Sequence, residues 1–146
     1  MIKLRNLSFS DLERVREIDR ISFLDRAPYS EKFLREIFQN YPQGLVVAED
    51  KREIVGYIVS RPQKDKIEIV SLAVLPDRQR KGIGTALTKF LIERFQKEEI
   101  KEVFLYVRTK NKRAVSFYQE LGFKTLETLE NFYRNGDNAY LMTKEL

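Results

Sequence analysis

The stretch PDRQRKGIGTAL, residues 76–87, decides how this 146-residue chain is read. It sets three cations, Arg78, Arg80 and Lys81, ahead of two glycines one residue apart, Gly82 and Gly84. Before it, residues 66–75 (KIEIVSLAVL) are almost continuously apolar, the pattern of a strand buried on both faces. After it, Ile83, Leu87, Phe90, Leu91 and Phe95 recur at helical spacing. A turn between a buried strand and a helix leaves backbone N–H groups unpaired at the positive end of the helix dipole. Glycines let a ligand approach that backbone closely. Such a turn is suited to hold phosphate.

Working outward, residues 101–108 (KEVFLYVR) read as the next strand. With the strand at 66–75 and the helix from about Gly82 they form a βαβ crossover, so the two strands run parallel. Residues 111–123 (NKRAVSFYQELGF) then read as a helix stopped by Gly122. KTLETLE (124–130) and NAYLMTKEL (138–146) are the last two strands. Upstream, IKLRNL (2–7) is a short first strand. SDLE at 10–13 has the form of a capping box before a helix carrying Leu12, Val15 and Ile18 and ending near Phe23. Ser30 can cap a second helix over 31–40. GLVVAED and IVGYIVSR form a hairpin, and PQKD (62–65) makes the turn into the strand at 66. The order β-α-α-β-β-β-α-β-α-β-β predicts one α/β domain over residues 1–146. Its centre is a mixed, mostly antiparallel sheet with one parallel pair and helices on both faces.

Composition removes whole classes of chemistry. The chain has no Cys and no His. Thiol nucleophiles, disulfides, Cys/His zinc sites, Ser-His-Asp triads and histidine bases are therefore excluded. Acid–base work falls to Asp, Glu, Tyr, Lys, a terminus or water. No apolar run approaches the roughly 20 residues of a membrane span, and the start of the chain lacks a signal peptide's apolar stretch. The expectation is a cytoplasmic protein without a membrane partner. Net charge is +5. Two basic clusters stand out, Arg78-Arg80-Lys81 and Arg108-Lys110-Lys112-Arg113, each readable as solvated surface or as a polyanion site.

Two familiar phosphate loops fail here. A P-loop requires Lys after its last glycine, and Gly84 is followed by Thr85. A dinucleotide fingerprint needs a third glycine where Leu87 stands and an acid near position 104, which is Phe. The pattern [QR]-x-x-G-x-[GA] is met by Gln79 through Gly84. The helix N-x-x-A-x-x-[FL]-Y-x-x-x-G-F is met by Asn111, Ala114, Phe117, Tyr118, Gly122 and Phe123. With both motifs in this order, the chain resembles the GNAT superfamily of acyl-CoA-dependent N-acetyltransferases over nearly its whole length. PYSEKF, VSLAVLP and NFYRNGDNAYLM are similar to ribosomal-protein alanine N-acetyltransferases and archaeal protein N-terminal acetyltransferases.

The resemblance implies a parallel strand pair that splays to admit acetyl-CoA, with no metal. The pyrophosphate would rest on the backbone of Gln79, Arg80, Lys81, Gly82, Ile83, Gly84 and Thr85. Leu72, Ala73 and Val74 would pair with the pantetheine arm, which Asn111 also faces. Both basic clusters would then serve coenzyme A phosphates, and no nucleic-acid partner is expected. With no Cys to carry an acetyl group, an amine would attack the thioester directly in a ternary complex. Tyr118 matches the family's general acid. The related enzymes carry Glu in L-E-V-R; here the stretch is LYVR, and Tyr106 stands in that place. Glu68, on the preceding strand, is the alternative base, acting through water. Ala27, Pro28, Tyr29, Phe132 and Tyr133 would clamp the acceptor. An α-amine, with a reference pKa of about 7.7–8.0, needs less help to deprotonate than a Lys amine at about 10.4. That favours a protein or peptide N-terminus over a small amine such as a polyamine. A noncatalytic acyl-CoA-binding module is the remaining reading, and the protein would be a monomer or homodimer.

Overall fold

The computed structural model describes residues 1–146. The chain runs β1 (Ile2–Asn6), α1 (Leu12–Ser22), α2 (Glu31–Asn40), β2 (Leu45–Asp50), β3 (Glu53–Gln63), β4 (Lys66–Val74), α3 (Ile83–Lys97), β5 (Glu102–Arg108), α4 (Lys112–Glu120), β6 (Lys124–Leu129) and β7 (Ala139–Glu145). All seven strands join one sheet in the order β1-β2-β3-β4-β5-β7-β6. Only β4 and β5 are parallel. β7 inserts between β5 and β6, antiparallel to both, an arrangement that hairpin reading alone does not reveal.

The buried strands alternate between two cores, one on each face. Val46 and Ala48 of β2 point to one side with Leu87, Leu91 and Phe95 of α3. Leu45 and Val47 point to the other with Val15 and Ile18 of α1 and Leu34 and Ile37 of α2. Period-two alternation in the strand and the helical stripes meet as they must for both faces to be covered. Each such Val, Leu, Ile or Phe side chain contributes about 1.5–3 kcal/mol of apolar transfer. No helix is long and apolar enough to cross a membrane.

Two local expectations shift. The reciprocal cap at the first helix lies two residues earlier than SDLE suggests. Asp11 reaches back to the Ser8 N–H at 2.8 Å, closing a short 3-10 turn before α1. Arg5 holds the same carboxylate at 2.8 Å, so the cap is also a tie to β1. The turn into β4 is only Lys64-Asp65. Pro62 and Gln63 remain in β3, opposite Ile67 and Lys66. Ser30 caps α2 as expected, accepting from Phe33 N–H at 3.0 Å.

The parallel pair is short, and this opens the fold. β4 pairs with β5 only at Ile67–Val103 and Glu68–Phe104. Two residues further on, the β3–β4 register slips, leaving Val70 unmatched between Ser71 and Ile69. Such a bulge bends its strand. From Ile69 onward the β5-facing edge of β4 is unpaired.

Candidate active site

The loop at 76–87 sits beside this opening. Arg80 (φ 64°) and Gly82 (φ 80°) both take the left-handed conformation. Gly82 in that conformation leading into the right-handed first turn of α3 is the backbone pattern of an anion-binding nest. The first helical bond is Ala86 N–H to Gly82 C=O at 2.9 Å. The N–H groups of residues 80–85 have no partner in the chain. Gln79 ties the loop back by donating its amide to the Val74 carbonyl at 2.9 Å.

These parts line a cleft of about 490 Å³. It gathers Leu72, Ala73, Val74, Gln79, Arg80, Gly82, Ile83, Gly84, Thr85, Asn111 and Tyr118, placed there by β4, the loop, α3 and α4. Lys81, expected with them, does not line it. Arg80 and Arg113 do, and neither forms an ion pair, whereas Arg78 is held by Asp50 at 3.3 Å and Asp77 at 2.9 Å. The cleft thus offers two uncommitted cations and, from Arg80, Gly82, Ile83, Gly84 and Thr85, five free N–H donors. Asn111 caps α4, its Oδ1 accepting from Ala114 N–H at 3.1 Å. Tyr118 packs edge-on between Phe117 and Phe123, with ring centroids at 5.0 and 5.5 Å. Burial alone pushes its phenol well above the ordinary tyrosine range. Sequence reasoning missed Ser22 and Phe23 at the end of α1, which also line this cleft.

A second cavity, about 430 Å³, lies further along β4. Glu68, Tyr106, Tyr29, Phe132 and Tyr133 all line it. Ala27 and Pro28, expected beside them, do not; their contribution is to carry the loop that presents Tyr29. Arg61, Gln63 and Phe104 are lining residues that sequence reasoning missed. The hairpin register could have found Arg61, since Glu68 is its direct cross-strand neighbour. Arg61 Nε donates to Glu68 Oε1 at 3.0 Å and Gln63 at 3.4 Å, and no protein group hydrogen-bonds the second carboxylate oxygen. Tyr106 stacks on Phe132 at 4.7 Å, so the walls are aromatic around one carboxylate.

The loop bearing Tyr29 is anchored by a buried acid. Asp19 is 1% exposed. It accepts from Arg26 Nη2 at 2.6 Å, from the Tyr29 N–H at 2.9 Å and from the Tyr57 hydroxyl at 3.3 Å. Arg26 is in turn sandwiched between the Phe23 and Tyr29 rings, at 4.3 and 4.2 Å. Burial raises the Tyr29 phenol pKa. Asp19→Ala leaves Arg26 without its partner and is expected to destabilise the fold by about 3 kcal/mol, read in urea unfolding. A loss below about 1 kcal/mol would show that water replaces the carboxylate cheaply.

The second basic cluster does not behave as the sequence suggests. Arg108 lies at the end of β5, paired with Asp25 at 2.7 Å and Asp137 at 3.5 Å, and Lys110 pairs with Asp137 at 2.9 Å. Neither lines the cationic cleft; of the four, only Arg113 does.

The splayed parallel pair, the glycine turn and the flanking cleft define an acyltransferase architecture. The chain belongs to the acetyltransferase (GNAT) family, which it matches over residues 12–123. It is 33% identical to the N-alpha-acetyltransferase of Sulfurisphaera tokodaii, over 99% of this chain and 93% of that protein. It is 30% identical to the ribosomal protein bS18-alanine N-acetyltransferase of Escherichia coli, over 75% of this chain and 74% of that one. The structure of Ard1 from Thermoplasma volcanium superposes with a TM-score of 0.93 at 27% identity, over 99% of this chain and 97% of that one.

Proposed function

We propose that this protein transfers the acetyl group of acetyl-CoA to the N-terminal α-amine of a polypeptide, in the cytoplasm. One observation carries the reading. β4 threads two unlike cavities in succession, Glu68 to Val70 facing the aromatic one and Leu72 to Val74 the cationic one. A thioester held in the second presents its carbonyl towards an amine held in the first. The free N–H groups of residues 80–85, with Arg80 and Arg113, hold the pyrophosphate. Asn111 borders the pantetheine arm.

The amine attacks the thioester carbonyl, forming a C–N bond and a tetrahedral oxyanion. A backbone N–H near Val74 stabilises that oxyanion. Collapse breaks the C–S bond, and the Tyr118 hydroxyl delivers a proton to the departing thiolate. Glu68, a lining residue whose second carboxylate oxygen has no protein partner, takes the proton from the ammonium through water. Tyr106 replaces a carboxylate with an aromatic wall, leaving Glu68 as the carboxylate among the lining residues. The aromatic lining accommodates an apolar first residue better than a hydrophilic polyamine.

Initial-rate kinetics test the direct transfer: varying both substrates should give intersecting lines, and parallel lines would indicate an acetyl-enzyme. Glu68→Gln is expected to lower peptide turnover by about tenfold to a hundredfold with acetyl-CoA affinity unchanged. Wild-type turnover in that variant would remove Glu68 as the base.

A further inference from the structure

Arg108 draws together two segments that flank the aromatic cavity and that no backbone pairing joins. From the end of β5 its Nε meets Asp25 Oδ2 at 2.7 Å, on the loop between α1 and α2. Its guanidinium lies 3.8 Å from the centre of the Tyr133 ring, in the connection between β6 and β7. Its Nη1 reaches Asp137 in the same connection at 3.5 Å and has no hydrogen bond of its own. The contacts continue inward. Tyr133 packs on Phe132 at 5.0 Å, and Phe132 stacks on Tyr106 at 4.7 Å within the cavity wall. On the facing side, Arg26, adjacent to Asp25, fixes Tyr29. Asp25 and Arg26 thus fasten one loop at two points, outward to β5 and inward to α1.

We propose that Arg108 is a positioning residue for the acceptor: it latches the two loops to each other and so sets the width of the cavity between Tyr29 and Phe132. The inference rests on reading that cavity as the acceptor site. The Arg108 side chain meets only Asp25, Asp137 and Tyr133, none of which lines the cationic cleft; its one tie to that cleft is through the backbone carbonyl, which accepts from the Asn111 N–H at 3.0 Å and survives substitution, so the side chain's effect falls on acceptor binding and leaves the cosubstrate alone. The side chain is 13% exposed and Asp25 52%, so the pair is reachable by salt yet fixed at one end.

The test compares Arg108→Gln, Arg108→Lys and Asp25→Asn in the whole protein. Arg108→Gln loses an ion pair and a cation–π contact, and its peptide KM is expected to rise about tenfold. Asp25→Asn, a surface change that spares folding, should raise it about threefold. Arg108→Lys keeps the charge and should recover part of the loss. In all three, acetyl-CoA KM and kcat should stay within about twofold of wild type. Amide hydrogen exchange should quicken in Arg108→Gln at residues 24–29 and 131–138 together. An unchanged peptide KM in both Arg108→Gln and Asp25→Asn, an acetyl-CoA KM that rises in parallel, or faster exchange at one segment alone overturns the proposal. If the wild-type protein turns over no free-N-terminus peptide, the acceptor reading fails separately, and the exchange comparison decides whether the latch exists.

Discussion

Gly82→Asp is expected to weaken acetyl-CoA binding by about a hundredfold or more, near 3 kcal/mol. Two effects add. Gly82 holds φ at 80°, a conformation that costs a side-chain-bearing residue about 1–2 kcal/mol. The new carboxylate also enters a cleft whose free N–H groups and unpaired Arg80 and Arg113 suit it to an anion. Crowding within the protein contributes nothing, because a Cβ at this position meets no atom within 4 Å. Gly82→Ala isolates the strain and should cost about tenfold at most. Calorimetric titration with acetyl-CoA measures both. Equal losses for Asp and Ala would mean that the loop's shape, not its charge, governs binding, and wild-type affinity in Gly82→Asp would remove the phosphate from this loop.

Tyr118→Phe is expected to lower kcat by about a hundredfold, the usual reach of a positioned general acid. Acetyl-CoA affinity should hardly change, since the ring packing against Phe117 and Phe123 is retained. The phenol's raised pKa sets the pH dependence. Deprotonation of the α-amine raises the rate through about pH 8. Loss of the Tyr118 proton would lower it again, but burial moves that loss to strongly alkaline pH. The kcat profile should therefore climb and then stay level to about pH 10, the ordinary tyrosine pKa. A fall beginning near pH 9 would contradict Tyr118 as the acid, and so would undiminished kcat in the Phe variant.

The fold was readable where local pattern and tertiary demand agree. The apolar run at 66–75, the glycine turn and the stripe from Ile83 to Phe95 each have a single solution, and together they place the parallel pair. Position in the sheet was less readable. Nothing in residues 138–146 says that β7 enters between β5 and β6, because insertion depends on which edge the earlier strands leave free. The bulge at Val70 has no Gly or Pro to announce it. Among the lining residues, those on the glycine turn and the α4 motif were readable because each group lies within one short contiguous stretch. Ser22, Phe23 and Phe104 arrive from elements far apart in sequence. Arg108 was misread for a related reason: a run of cations looks alike whether it faces a phosphate or, as here, aspartates from two other segments.

The most direct test of the account is acetyl-CoA turnover, followed by free-thiol release, against three acceptor sets: short peptides with free N-termini, N-blocked peptides containing lysine, and polyamines. Thiol release is expected with the free-N-terminus peptides and none above background with the other two. Turnover confined to polyamines, or tight acetyl-CoA binding with no turnover on any acceptor, would contradict it.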